Sequence, residues 1–379
     1  TLVGSFGEFT QIFGGAVESG STSYSYLTSI SANNYFQNGG NSLLVTRVTS
    51  GSFTPATSSL IETGSGGPTT GESPFVLETI SEGEIMNTGT TEISNGALTS
   101  GTDDNIRWEI AGVNTGSGTF SLLIRRGDDT HNQKVVLESY NNISLDPYEP
   151  NYIAKVIGDI DYTLRSDGTD YYIQESGSFT NISKYVRVKE VNFKTPKYFN
   201  NAGTAKDEFT GSLPVISSGS FNGAEGSNIP VGRSANFYQH INNDDTQGLV
   251  GSDYNDAIAL LSNTDEYKYN IITSPGLIDI NSNTGGAQIT SLVNNTIARG
   301  DAISVIDLVN YNTQINSVIN QASGFDSSYA STYWPWVQTI DPNTGEAVYV
   351  PASTMIPGVF TFTDASSEPW FAPAGITRG

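Results

Sequence analysis

The first fifty residues carry a helical apolar rhythm and then an extended one. Phe6, Phe9, Ile12 and Phe13 recur at helical spacing and stop at Gly14-Gly15, which predicts a short amphipathic helix. Ser21 to Ser25 offer hydroxyl caps for a second helix, whose apolar stripe is Tyr24, Leu27, Ile30 and Tyr35 and whose end is Gly39-Gly40. Ser42 to Val48 then reads as a strand, and the Ser/Thr/Gly/Pro-rich stretch 49–74 as a surface linker.

From Pro74 to about Val191 the period is two. Asn105 to Ile110 alternates cleanly, Thr119 to Ile124 is another strand, and Tyr162 to Ile173 is a hairpin turning at Asp167-Gly168. Between strands, Glu149-Pro150-Asn151 opens a short helix bearing Tyr152, Ile153, Val156 and Ile157. Periodicity is lost over 192–250. Ser252 then caps a helix with Tyr254, Ala257, Ile258 and Leu261 in register. The strand 269–273, a helix with Ile289, Leu292 and Val293, and the strand 302–306 make a βαβ crossover, so a parallel sheet is expected. A further helix carries Ile315, Val318, Ile319 and Ala322, and 331–350 reads as a hairpin turning at Asp341 to Gly345. The expected class is α+β in two parts: a β-rich, sandwich-like domain over 1–245 with an N-terminal helix–strand element, and an α/β domain over 246–379.

Composition narrows the chemistry. The 379 residues include no cysteine and two histidines, His131 and His240, which excludes thiol chemistry and disulfides. Ser, Thr and Asn make up 118 residues, whereas charged residues are only 15% and the net charge is −22. Such a chain repels phosphate backbones, so no nucleic-acid partner is expected. No apolar run is long enough to span a bilayer, so direct membrane insertion is not expected either. No Walker A sequence occurs, and Thr273 to Leu277, read as the loop after the first βαβ strand, lacks the dinucleotide fingerprint. Arg299-Gly300-Asp301 falls between a helix and a strand and reads as a turn. The carboxylates Asp159, Asp161, Asp167, Asp170 and those from Asp341 to Glu346 sit where hairpins turn, and turn chemistry explains them. No Gly-x-Ser-x-Gly elbow accompanies His131 or His240. We therefore expect no enzyme, no cofactor and no metal.

Two features point to contacts. Lys184, Arg187, Lys189, Lys194, Lys197 and Lys206 place six of the 17 cations within 23 residues, whereas 240–379 holds 14 acids against three bases. This asymmetry suits a surface that meets the opposite face of another copy, with Lys184, Arg187, Lys189, Lys194 and Lys197 as the candidate contact residues. Tyr329, Tyr333, Trp334, Trp336, Trp370 and Phe371 form an aromatic cluster beside prolines, read as a core or junction plug or as a carbohydrate-stacking platform.

Several segments carry a family likeness. Val3 to Phe9 is followed by Phe13-Gly14-Gly15, and Phe36 to Asn41 leads into Leu44 to Val48. Leu145-Asp146-Pro147 precedes Tyr152-Ile153, and Gly300-Asp301-Ala302 runs to Asp307. Ser327 to Ala330, Tyr333-Trp334-Pro335-Trp336 and Ala372-Pro373-Ala374-Gly375 follow. In this order the segments resemble the contractile phage tail sheath protein family. The resemblance implies a virion subunit, assembled in the host cytoplasm, that polymerises helically around the tail tube and contracts to drive the tube through the target envelope. It implies as partners further copies, the tail tube protein, and the baseplate and tail terminator proteins. It also places the family's N-terminal arm before Thr1 and its C-terminal domain after Gly379, which makes this the middle portion. Two alternatives are kept: the sheath of an extracellular contractile injection system, and a carbohydrate-binding or depolymerising tail protein.

Overall fold

The structure, a computed structural model, describes residues 1–19, 22–64, 71–84, 91–168, 170–226, 247–279, 286–368 and 370–375. The chain opens with β1 (Leu2–Val3), α1 (Phe6–Phe13), β2 (Ala16–Ser19), β3 (Thr22–Ser25), α2 (Leu27–Gln37) and β4 (Leu43–Leu44). Helix α1 starts as its sequence dictates. The Ser5 hydroxyl accepts the Glu8 N–H at 3.1 Å, and the Glu8 carboxylate accepts the Gly4 N–H at 2.9 Å. It ends at Gly14, whose φ of 81° suits a residue without Cβ. Phe9 is buried with Val3, Ala32 and Val45, beneath β1 paired to β4.

The second helix departs from expectation at its start. Tyr26 occupies the cap position without a side-chain bond, and the expected caps Ser23 and Ser25 lie in β3, paired to β2. The helix finds its acceptor far away: the Leu27 N–H donates to Gln247 Oε1 at 2.7 Å. Pairing with β2 holds both serines in a strand, and the Ser25 hydroxyl is engaged elsewhere, donating to Asp341 at 2.8 Å and accepting from the Asn343 amide at 2.8 Å. The expected strand 42–48 is reduced to Leu43–Leu44, the part that pairs with β1.

The β-rich stretch of the chain comprises β5 (Pro55–Ser58), β6 (Phe75–Glu82), β7 (Ile106–Asn114), β8 (Thr119–Arg126), β9 (Val136–Ser144), α3 (Ile153–Ile157), β10 (Asp161–Ser166), β11 (Tyr171–Ser176), β12 (Val186–Val191), α4 (Asp207–Thr210) and β13 (Ser217–Asn222). Seven of these strands form one curled antiparallel sheet in the order β12-β6-β5-β13-β7-β8-β9, and β10 and β11 form the expected separate hairpin. Phe75, Leu77, Trp108, Ile110, Phe120, Leu122 and Val186 line one sheet face, closed by Ile153 and Ile157 of α3. The expected linker 49–74 is corrected here. Its residues 55–58 form an interior strand, and Ala56 and Ile61 are wholly buried. The aperiodic stretch 192–250 likewise supplies β13, at the centre of the sheet.

Trp108 explains both corrections. It lies opposite Gly219 in register, and a Cβ on that glycine would sit 2.5 Å from the indole. The indole N–H donates to the Ser220 carbonyl at 3.1 Å and to the Ser59 hydroxyl at 3.2 Å. The small residues of β5 and β13 are the complement of one large ring, which leaves them no apolar period to display.

The remaining elements are α5 (Asn255–Leu260), β14 (Ile271–Ile278), α6 (Gly286–Arg299), β15 (Ile303–Asp307), α7 (Ile315–Ala322), β16 (Ala330–Thr332), β17 (Val337–Ile340), β18 (Ala347–Val350) and α8 (Ile356–Ser366). The expected βαβ crossover is present: β14 and β15 pair in parallel around α6. It extends one step further, because β16 adds a third parallel strand where only a hairpin was expected. The hairpin itself is β17 and β18, turning at Asp341 to Gly345 as expected. Thr273 to Leu277, read as the loop after the first strand, lies inside β14, which continues through a register irregularity at the edge of its sheet. A proline is tolerated on such an edge. The true strand-to-helix connection, 280–285, lies outside the described residues.

Two compact units result: residues 51–165 with 173–227, and residues 1–50 with 166–172 and 228–379. The expected division at 245/246 differs from this by assigning the first fifty residues to the β-rich part. They belong with the α/β part because Leu27 and Ile30 of α2 share a core with Ile278, Val348 and Val350.

Candidate functional site

The basic run lies on and beside β12, an edge strand of the large sheet. Val186 and Val188 point into the core, so Arg187 and Lys189 are carried on the other face. Arg187 lies opposite Glu78 in register and pairs with it, and also with Asp161 at 3.0 Å. Lys189 reaches the other Glu78 oxygen at 2.8 Å. Two of the five candidate contact residues are thereby neutralised within the unit. Lys184, Lys194 and Lys197 are exposed and form no ion pair with a described residue. The structure thus reduces the unpaired part of the run to three lysines, a distinction that composition could not make.

The α/β unit has no such cationic patch among its described residues from 247 to 368. Between 247 and 368 its exposed carboxylates are Asp256, Asp265, Glu266, Asp301, Asp326, Glu346, Asp364 and Glu368, and Lys268 is the one exposed cation among the described residues. Arg299, the other cation of that stretch, has a side chain only 1% exposed. It donates to the Leu261 and Tyr267 carbonyls, pairs with Asp301 at 2.9 Å and stacks 4.1 Å from the Tyr269 ring centre. Arg299-Gly300-Asp301 is therefore a self-bonded turn, with Gly300 at a φ of 71°.

One polar assembly was not anticipated from sequence. Arg107 and Arg125 are fully buried cross-strand partners on the second face of the large sheet. Arg125 donates twice to Asp129, at 2.6 and 2.7 Å, and to Glu109 at 2.8 Å. Arg107 pairs with Glu92 and donates to the Gly96 carbonyl. Lys134 closes on Glu109 at 2.6 Å, and His131 lies 3.2 Å from Glu92. The network holds the segments around 92–96 and 129–134 against the sheet. Its only sequence signal was the charged half of the alternation Arg107-Trp108-Glu109-Ile110. His240 lies outside the described residues.

The aromatic cluster divides. Tyr333, Trp334 and Trp336 line a cleft of about 190 Å³ together with Asp307, Leu308, Val309, Val318 and Thr332. Trp336 is fixed there: its N–H donates to the Val309 carbonyl at 3.0 Å, and its ring meets Tyr311 edge-on at 5.8 Å. Trp370 and Phe371 instead pair with each other at 6.5 Å, with Trp370 77% exposed. A second hollow of about 420 Å³ is lined by Phe6, Ile30, Asn33, Asn34, Gln37, Thr339, Ile340 and Pro342.

Asp307 ends the central parallel strand and is buried. It accepts the Ser353 hydroxyl at 2.5 Å and N–H groups from Ser353 and Gly276. Burial outweighs these bonds and pushes its carboxyl up to about 7. Burial also raises Asp279, which accepts from the Gln321 amide. Of the carboxylates read as turn residues, Asp159 accepts the Ser178 and Phe179 N–H groups and Asp341 accepts Asn343 N–H at 2.9 Å, whereas Asp161 opens β10 and pairs with Arg187. Among the described residues no three His, Asp or Glu side chains gather as a metal site would require, and no helix is long and apolar enough to cross a membrane. No protein-family model and no curated protein matches the chain.

Proposed function

We propose that the chain is a structural subunit of a contractile tail sheath in a virion, packing helically with further copies around a tail tube and working without catalysis or cofactor. The observation that carries this reading is a local patch of lysines without a described ion-pair partner, on a chain that otherwise exposes mainly carboxylates. Lys184, Lys194 and Lys197 are exposed on the β-rich unit with no ion pair to a described residue, and residues 247–368 expose eight carboxylates and one lysine among the described residues. A contact between unlike faces is heterologous, and heterologous contacts that do not close into a ring build helical polymers. Polar, charged contacts also suit an assembly that must exchange one arrangement for another, since they form without the large dry cores of permanent interfaces. The segments that resemble the sheath family fit this reading by their position: they cap α1 at Gly14, shape the turn at Asp146 and end the central parallel strand at Asp307. The tail tube, baseplate and terminator proteins are the further partners the reading requires.

Immunogold electron microscopy of contractile tails carrying the chain tests it. Label along the whole sheath is expected, in extended and contracted particles alike. Label confined to fibres, baseplate or capsid refutes it. The carbohydrate-binding alternative draws on the Trp334–Trp336 cleft, but that lining has no amide side chain, and the Trp336 N–H and the Asp307 carboxyl already have partners.

A further inference from the structure

The cleft beside β15 and β16 is built as a receptor. Asp307 to Val309 and Thr332 place it at the carboxyl ends of two parallel strands, where open α/β sheets hold their ligands. Trp336 is a preset wall, held by its bond to Val309 and its contact with Tyr311. Tyr333 and Trp334 are 41% and 45% exposed, so the rings reach solvent at the mouth. Val318 of α7 supplies an apolar side, and the volume of about 190 Å³ admits a compact group rather than a chain segment.

We infer that this cleft binds an organic cation, an alkylammonium or guanidinium group, between the faces of Tyr333, Trp334 and Trp336. Three aromatic side chains line one small space, and the face of such a ring attracts a positive charge. The lining contains no cation, and the chain carries a net charge of −22, so an anion is repelled from the site. A saccharide would need several convergent donors and acceptors. Here no amide is present, and the Trp336 N–H and the Asp307 carboxyl are already bonded. A weakly hydrated cation asks for little besides ring faces. The group can come as a small molecule or as a lysine or arginine side chain of another protein, and the chemistry is shared. This inference stands apart from the sheath reading and is tested on the isolated chain.

The experiment titrates tryptophan fluorescence, with saturation-transfer NMR as a second readout, at fixed ionic strength. The probes are tetramethylammonium, N-acetyl-lysine amide, the neutral isostere tert-butanol, maltose and oligolysine. Saturable binding of both small cations is expected, at least about tenfold tighter than tert-butanol, a margin of about 1.4 kcal/mol. Trp334→Ala should weaken cation binding about tenfold or more while thermal melting stays unchanged, because the ring is half exposed. Trp370→Ala, outside the cleft, should leave binding intact. Oligolysine binding more than about tenfold tighter than the lysine amide, with that excess lost in Trp334→Ala, identifies a protein side chain as the source, and an excess that is absent or survives Trp334→Ala identifies a small molecule. No saturation by either cation, equal binding of tert-butanol, saturation by maltose alone, or full retention of binding in Trp334→Ala each overturns the inference.

Discussion

Replacing Asp307 with asparagine should remove a slope from the pH dependence of stability. In the folded chain the carboxyl is held at about 7 against an ordinary value of 3.8, because burial outweighs the bonds from Ser353 and Gly276. Between these values the native state keeps a proton that the unfolded chain has released. Stability therefore falls as pH rises from about 4 to about 7 and levels off above that. At 1.36 kcal/mol per pH unit, the full loss is about 4 kcal/mol. Asparagine is neutral throughout and can still accept the Ser353 hydroxyl. Its amide nitrogen also meets a backbone N–H, which costs a pH-independent amount of about 1–3 kcal/mol. The test is urea unfolding of both proteins at pH 4 to 8, following Trp336, which packs near Asp307 in the same unit. Relative to wild type, the variant should gain about 4 kcal/mol across the series, and other carboxylates cancel in the difference. A difference that stays constant within about 0.5 kcal/mol would show that Asp307 is ionised or solvated throughout, and the burial argument fails.

Gly219→Ala should destabilise the β-rich unit by about 1–3 kcal/mol in calorimetry, since the new Cβ falls 2.5 Å from the Trp108 ring; an unchanged melt contradicts the packing described. Arg125→Met should cost about 3–5 kcal/mol by leaving the buried Asp129 without its bidentate partner, while Glu109 keeps Lys134, and Arg125→Met with Asp129→Leu should recover part of that. If the double variant is no better than the single, the loss is one of packing and not of charge. Joint reversal of Lys184, Lys194 and Lys197 to glutamate should shift stability by no more than about 0.5 kcal/mol per site yet shorten assembled sheaths in electron micrographs. High salt should shrink the difference between reversed and native sheaths, because exposed pairs are screened beyond about 8–10 Å; sheaths of normal length from the reversed chain at low salt refute the charge role.

The sequence was readable where each element declares itself locally. Helix α1 has its serine, glutamate and glycine within ten residues, and the βαβ unit has clean apolar strands and a strongly periodic helix. It was unreadable where a distant residue does the work. Helix α2 begins at Leu27 because Gln247 accepts its N–H, and no local signal names a partner that far away. Strands β5 and β13 are small and polar because Trp108 fills the space they leave. For the candidate surface, composition located the cations, but only the cross-strand register of Arg187 with Glu78 separates paired from unpaired ones. The cleft required Tyr333, Trp334 and Trp336 to meet residues 307–309 and 318, which spacing along the chain does not show.

The shared core of Leu27, Ile30, Val348 and Val350 also sets an order of events during synthesis. The β-rich unit has its partners between 51 and 227, so it can close while the chain is still being made. Helix α2 must wait for strands made about 320 residues later, which at about 5–20 residues per second is a delay of roughly 15 to 65 s. Throughout that interval its apolar stripe is uncovered, available to chaperones and to neighbouring nascent chains. Completion of β18 is thus the step that covers α2, and a truncation before Val348 would leave Leu27 and Ile30 without part of their core, whereas Phe9 of α1 keeps its local partners Val3, Ala32 and Val45.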